Sequence, residues 1–273
     1  MANSRSGDSM LDRFVRILTA FDASRRSMSV ATLARRADVP LATAYRLVED
    51  MVCRDLLTRS GDGQISLGLR LWELANRSSP ARDLREGAMP FMEDIQAVVR
   101  QHTQLAVLSD DEVLVIERLS SPGSVVNPAS IAGRLPVHRT SSGVVLLAFA
   151  PNHVQEAYLA RHPEAGVGLD AAPYDFRQLL ARVRQQGFAA LDGLVDAETS
   201  GVAVPVIGHG NSAIAALSVV VPLLGDRLHA IIPVLMTGAR GISRAMGTVP
   251  GGSVGVFPLN ENSGTGAASA ASH

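Results

Sequence analysis

Apolar residues recur at intervals of three and four from the start of the chain. Met10, Phe14, Ile17, Leu18 and Phe21 form one stripe, with Ser9 placed to cap a helix and Asp12 in its first turn. A second stripe runs through Val30, Leu33, Ala34 and Ala37, and a third through Ala44, Leu47, Val48 and Met51. Each marks one face of a helix, and three such faces can close a small core. Asp38-Val39-Pro40 separates the second helix from the third. Pro40 has no amide proton and pushes Val39 toward extended geometry, while its fixed φ suits the start of a helix near Leu41. Then the period changes. Residues 56–59 and 64–67 are short β-capable runs on either side of Ser60-Gly61-Asp62-Gly63, which predicts a hairpin.

Leu69, Leu71, Trp72, Leu74 and Ala75 predict a further helix that stops at Ser78-Ser79-Pro80, where a domain boundary is expected. This pattern fits Trp72 filling the core beneath the hairpin. Beyond Pro80 the pattern predicts a helix over 81–101, strands over 104–109, 112–118 and 125–131, and helices over 141–149, 152–161 and 176–186. A hairpin over 202–207 and 213–221 and a last helix over 226–246 complete it. Strands arriving in adjacent pairs with helices between them imply an α+β domain with a mostly antiparallel sheet. Residues 248–273, rich in Gly, Ser and Ala, are expected to form a disordered tail, and residues 1–8 a flexible N-terminus.

Two segments carry chemistry. The third helix leaves Leu41, Ala42, Thr43, Tyr45, Arg46 and Glu49 pointing away from its apolar face. Such a face suits a DNA major groove, because Arg can bond guanine bidentately, Thr donates or accepts, and small side chains permit close approach. A solvated helical hairpin has the same pattern. Arg59 on the wing either approaches a phosphate or is ordinary surface. The second segment is Ser141-Ser142-Gly143, which opens a helix after Arg134-Leu135-Pro136-Val137-His138. Backbone amides and small hydroxyls at a positive helix end suit a carboxylate, and they equally suit a plain N-cap.

Composition adjusts this picture. A chain of 273 residues with 47% hydrophobic content can fill two cores. Formal net charge is −1, but residues 1–77 carry 12 Arg against nine acidic residues, a net +3, and the remainder is net −4. A +3 domain neutralises few phosphates, so DNA binding implies self-association. The single cysteine, Cys53, excludes an internal disulfide and a thiolate-rich metal site, and is expected to be a small buried apolar residue. His102, His138, His153, His162, His209 and His229 are scattered, so no metal is expected. There is no P-loop and no Gly-rich dinucleotide turn that follows a strand and opens a helix, and His138 near Ser141 lacks an orienting carboxylate. Neither catalysis nor a cofactor is expected. The N-terminus lacks a secretion signal and no long apolar run occurs, so a cytoplasmic protein without a membrane partner is expected. The competing reading is an enzymatic or ligand-binding α+β domain whose N-terminal helices serve only oligomerisation.

VATLARRADVPLATAYRLVEDMVCRDLL, ISLGLRLWELA, GRLPVHRTSSGVVLLA, LLARVRQQGFAALDGLVDAETSGVAVPV and SAIAALSVVVP together resemble, in order and spacing, the IclR family of bacterial transcription regulators. The resemblance implies a winged helix-turn-helix domain over 9–68, a linker helix over 69–80 and an effector-binding domain of GAF/profilin-like fold over 81–247. It also implies a double-stranded DNA operator, a small organic acid effector, and a homodimer or homotetramer. The effector-contacting positions it carries across are Ser141 and Ser142, Val202 and Val204 on one strand, and Ser218 and Val220 on the next, with Asn127 and Leu135 lining the approach. Strand alternation puts each strand pair on one face, where they converge. Relatives recognising very small oxo-acids have polar residues where this chain has Val204 and Val220, so a more apolar pocket for an aromatic or longer aliphatic acid is expected. Arg134 or Arg139 can add charge there.

Overall fold

The computed structural model describes residues 8–22, 24–77, 79–166, 175–193, 196–223 and 228–247. The chain divides into two units, Met1–Ser79 and Pro80–His273. The expected tail lies outside the described residues.

In the first unit, α1 (Met10–Thr19), α2 (Val30–Arg36) and α3 (Leu41–Val52) follow the three apolar stripes. A capping box starts α1, with the Ser9 hydroxyl accepting from the Asp12 amide at 3.0 Å and the Asp12 carboxylate accepting from the Ser9 amide at 2.9 Å. Ser29 caps α2. The chain reverses before α3 with Asp38 in the left-handed region at φ 51, a conformation that Asp tolerates better than most residues. Ile17, Leu33, Ala44, Val48 and Ile65 are fully buried at the centre of this unit. The wing is β2 (Leu57–Arg59) paired with β3 (Ile65–Leu67), and β3 also pairs with β1 (Ser27–Met28). Two residues are too few to show alternation, which is why β1 is not legible in the pattern.

The next helix, α4 (Leu69–Arg77), buries none of its residues within the unit. Trp72 is 64% exposed, so it does not fill the core beneath the wing. Cys53 departs from expectation too. It follows α3 as its C-cap, off the helix's buried stripe, and is exposed.

The second unit is a six-stranded antiparallel sheet between two helical layers. Its strands are β4 (His102–Ser109), β5 (Glu112–Ser120), β6 (Arg134–Pro136), β7 (Ala189–Asp192), β8 (Thr199–Ile207) and β9 (Ala213–Pro222), in the order β6-β5-β4-β9-β8-β7. The long helices α5 (Pro80–Val99) and α9 (Leu228–Gly247) cover one face. There Leu84, Met92, Leu105, Leu217, Leu235 and Ile242 are fully buried, each contributing on the order of 1.5–3 kcal/mol. The other face carries α6 (Ser141–Ala148), α7 (Asn152–Arg161) and α8 (Phe176–Gln186). Sheet residues under α6 are small: Ala106, Ala203 and Ala216. That lets the helix approach closely, and every residue of α6 is buried.

Residues 125–131 do not form the expected strand; residues 124–130 are a strap outside the sheet, and the chain rejoins β5 only at Ala132 and Gly133, whose backbones bond Val115 at 2.8 and 3.0 Å. Pro128 has no donor for a ladder, and side chains satisfy the strap's backbone instead. Gln101 Oε1 accepts from the Val125 amide at 3.0 Å, and His102 Nε2 bonds the Val125 carbonyl at 2.7 Å. Arg118 donates to the carbonyls of Asn127, at 3.2 Å, and Ala129.

Candidate functional site

The outer face of α3 is built by periodicity alone. Ala44, Leu47, Val48 and Met51 are buried, which turns Leu41, Ala42, Tyr45 and Arg46 outward and leaves Thr43 half-buried. Leu41 and Tyr45 are about half exposed, a large apolar and aromatic surface for one solvent-facing turn. Arg46 makes no ion pair with any described residue, so its guanidinium is available to an outside acceptor. Arg59 is different. It reaches from β2 to the Glu49 carboxylate on α3, tying the wing to the helix and neutralising part of its charge.

A cavity of about 50 Å³ lies where the start of α6 meets the sheet and the strap. This is a few times the space one water needs and suits a small compact molecule. Leu135, Val113, Val115, Ala106 and Leu191 give it apolar walls, while Ser141, Ser142, Ser218, Gln104 and Asn127 bring polar atoms. The α6 N-cap is Thr140, whose hydroxyl accepts from the Gly143 amide at 3.0 Å. Ser141 and Ser142 are therefore spared that duty. Ser141 donates to the Gly201 carbonyl at 2.6 Å and Ser142 to the Ser218 hydroxyl at 2.9 Å. Two glycines make these approaches possible. A Cβ on Gly201 would lie 2.8 Å from the Ser141 hydroxyl, and one on Gly143 would lie 2.3 Å from the Val137 carbonyl oxygen.

Of the residues expected to meet an effector, the structure brings Asn127, Leu135, Ser141, Ser142, Ser218 and Val220 to this cavity. Val202 and Val204 are not among its walls. They are fully buried on the opposite face of the sheet, against α5 and α9. The register explains it: Gly201 pairs with Val220 and Ala203 with Ser218, so the odd-numbered residues of β8 share the cavity face. Residues 202–207 are nearly all apolar because both faces of β8 are covered, and such a run carries no parity to read. Arg139 lines the cavity, whereas Arg134 pairs with Glu112 at 3.3 Å. Gln104 escaped the sequence reading because it stands in a run of three polar residues, His102-Thr103-Gln104, at the start of β4, where a polar side chain is ordinary for a strand end.

His138 does not face Ser141 as a base. Its Nδ1 bonds the Tyr158 hydroxyl at 2.8 Å, and burial holds its pKa below the ordinary imidazole value. Tyr158 stacks on His162 at 4.4 Å between ring centres. Burial opposes charge on His162, but its bonds to Glu164 and Asp111 outweigh that and raise its pKa. This is a packing cluster with an ion pair at its rim. Among the described residues no group of His, Cys, Asp and Glu gathers to hold a metal, and no helix is long and apolar enough to cross a membrane.

A winged helix-turn-helix unit joined in one chain to a sheet-and-helix unit with an internal acid-compatible cavity defines a ligand-sensing DNA-binding regulator. The family model for the bacterial transcriptional regulator IclR C-terminal domain matches residues 78–244, and that for the IclR helix-turn-helix domain matches residues 10–61. The chain belongs to the IclR family, and it is a transcription regulator rather than an enzyme. Among solved structures it is similar to an IclR homolog from Microbacterium hydrocarbonoxydans complexed with 4-hydroxybenzoate. That structure is 43% identical with a TM-score of 0.82, over 88% of this chain and 100% of that one. Among curated proteins it is 27% identical to the HTH-type transcriptional regulator KdgR of Dickeya chrysanthemi, over 81% of this chain and 75% of that protein. It is 25% identical to the Pca regulon regulatory protein of Pseudomonas putida, over 77% and 72%.

Proposed function

We propose that this regulator reads its operator through the outer face of α3 and responds to a hydroxylated aromatic carboxylic acid of the 4-hydroxybenzoate class. The observation that carries the ligand class is the chemistry of the cavity: apolar walls from Leu135, Val113, Val115 and Leu191, ending in hydroxyl and amide groups beside the start of α6. The M. hydrocarbonoxydans homolog, at 43% identity, was crystallised with such an acid. The carboxylate is placed toward Ser141 and Ser142, where the first-turn amides and the helix dipole favour an anion. Binding shifts the protein between arrangements with different operator affinity, by no more than the acid's differential affinity for them. Titrating purified protein with 4-hydroxybenzoate tests this. The melting temperature should rise with acid concentration by mass action, and the operator midpoint should move in the same concentration range. A flat response in both measurements would overturn the ligand class.

The working species is proposed to be a dimer or a pair of dimers formed through α1 and α4. Met10, Leu11 and Val15 of α1 and Leu69, Trp72 and Leu74 of α4 are large apolar residues left exposed by their own unit. One positively charged head contacts too few phosphates to bind alone, which makes a second copy the fitting cover. Trp72→Glu should raise the dimer dissociation constant by roughly 30-fold or more, as expected for a central aromatic anchor. Sedimentation velocity reads this directly, and an unchanged association constant would remove Trp72 from the interface.

A further inference from the structure

Three buried side-chain polar atoms among the described residues have no hydrogen-bond partner: Arg16 Nε, Gln104 Nε2 and Asn127 Nδ2. Two of the three belong to residues lining the same cavity. Gln104 lies on the central strand β4, is only 6% exposed, and has Ser218 as its cross-strand neighbour on β9. Directly opposite residues share a sheet face, so the Gln104 amide stands beside the Ser142–Ser218 hydroxyl pair. Asn127 comes from the strap. Its Oδ1 accepts from the Ala129 amide at 3.0 Å, which fixes the side chain's orientation and leaves Nδ2 as the open donor. Arg118, donating to the Asn127 and Ala129 carbonyls, holds the strap in that position.

Leaving a buried donor unmade is costly, and natural proteins rarely do so without a reason. We propose that Gln104 is a specificity-determining residue whose amide donates to the carboxylate of the bound acid beside Ser142 and Ser218, while Asn127 donates from the strap to a ring hydroxyl. This rests on the aromatic-acid reading above and adds to it which atoms read the acid. Ser142 donates to Ser218, so the Ser218 proton is free to join Gln104 in bonding a carboxylate, which offers about four lone-pair sites. Two donors from different walls favour a molecule with acceptors at both ends, so 4-hydroxybenzoate should bind more tightly than benzoate.

The test is titration calorimetry of the full-length protein with 4-hydroxybenzoate and with benzoate, together with melting curves of the ligand-free protein. Gln104→Met keeps the volume and removes the donor. It should weaken 4-hydroxybenzoate by about 10- to 100-fold while the ligand-free melting temperature stays level or rises, because the orphaned amide is gone. Gln104→Glu sets a carboxylate against the acid and should weaken it further. Asn127→Ala should erase the preference for 4-hydroxybenzoate over benzoate. If wild type binds 4-hydroxybenzoate and Gln104→Met binds it equally well, the role of Gln104 is overturned and the ligand class stands. If Gln104→Glu binds as tightly as wild type at both pH 5.5 and pH 8, so that no protonated carboxyl stands in for the amide, the donor assignment is wrong. If wild type binds neither acid, the ligand class itself fails and the inference falls with it.

Discussion

Arg46→Ala should lower the preference for an operator over scrambled DNA by about 10- to 100-fold per half-site, the usual worth of one bidentate base contact. Arg46 projects from the outer face of α3 without an ion-pair partner among the described residues, so its loss leaves no buried group stranded. An exposed change of this kind shifts stability by no more than about 0.5 kcal/mol, and melting curves should nearly superimpose. Arg59→Ala is the contrast. Because Arg59 is bound to Glu49, its removal frees a carboxylate on the outer face of α3, the face proposed to meet DNA, and affinity should fall on every sequence alike. Competition gel shifts with an operator selected from random sequence measure both variants. Equal loss on operator and scrambled DNA for Arg46→Ala would contradict base reading.

Ser142→Asp should abolish the response to 4-hydroxybenzoate, with a loss in acid affinity of about 100-fold or more. Ser142 is buried and bonded to Ser218, so the new carboxylate sits in a low-dielectric space facing the acid's own charge. Burial should raise the pKa of the introduced Asp, and in its neutral form it can donate a proton to the ligand. The loss should therefore be larger at pH 8 than at pH 5.5. Ser142→Ala, which removes one hydroxyl and no more, should cost only a few-fold. Calorimetry at the two pH values separates these outcomes. An unchanged dose curve in Ser142→Asp would detach the start of α6 from ligand binding.

The two candidate sites differed in how far they could be read beforehand. The face of α3 followed from Ala44, Leu47, Val48 and Met51, since on a single helix a residue's direction is fixed by its number. The start of α6 was legible in the same local way, although the cap proved to be Thr140 and both serines turned their hydroxyls to the sheet. The cavity floor was not. Val202 and Val204 were expected there and are buried on the other face, because a strand covered on both sides carries no polar alternation to set its phase.

Helix periodicity, capping residues and turn chemistry are local properties, and the sequence alone determined them: three N-terminal helices, a wing, and the hairpin pairs β4-β5 and β8-β9 of the sheet, but not its short edge strands β6 and β7. Strand register, the side-chain clamp that His102 and Arg118 place on the strap, the exposure of Trp72 and the unpartnered Gln104 amide depend on residues far apart in the chain. Only tertiary packing decided these, because a pairing between β8 and β9, or a donor left without an acceptor, exists only once the distant segments have met.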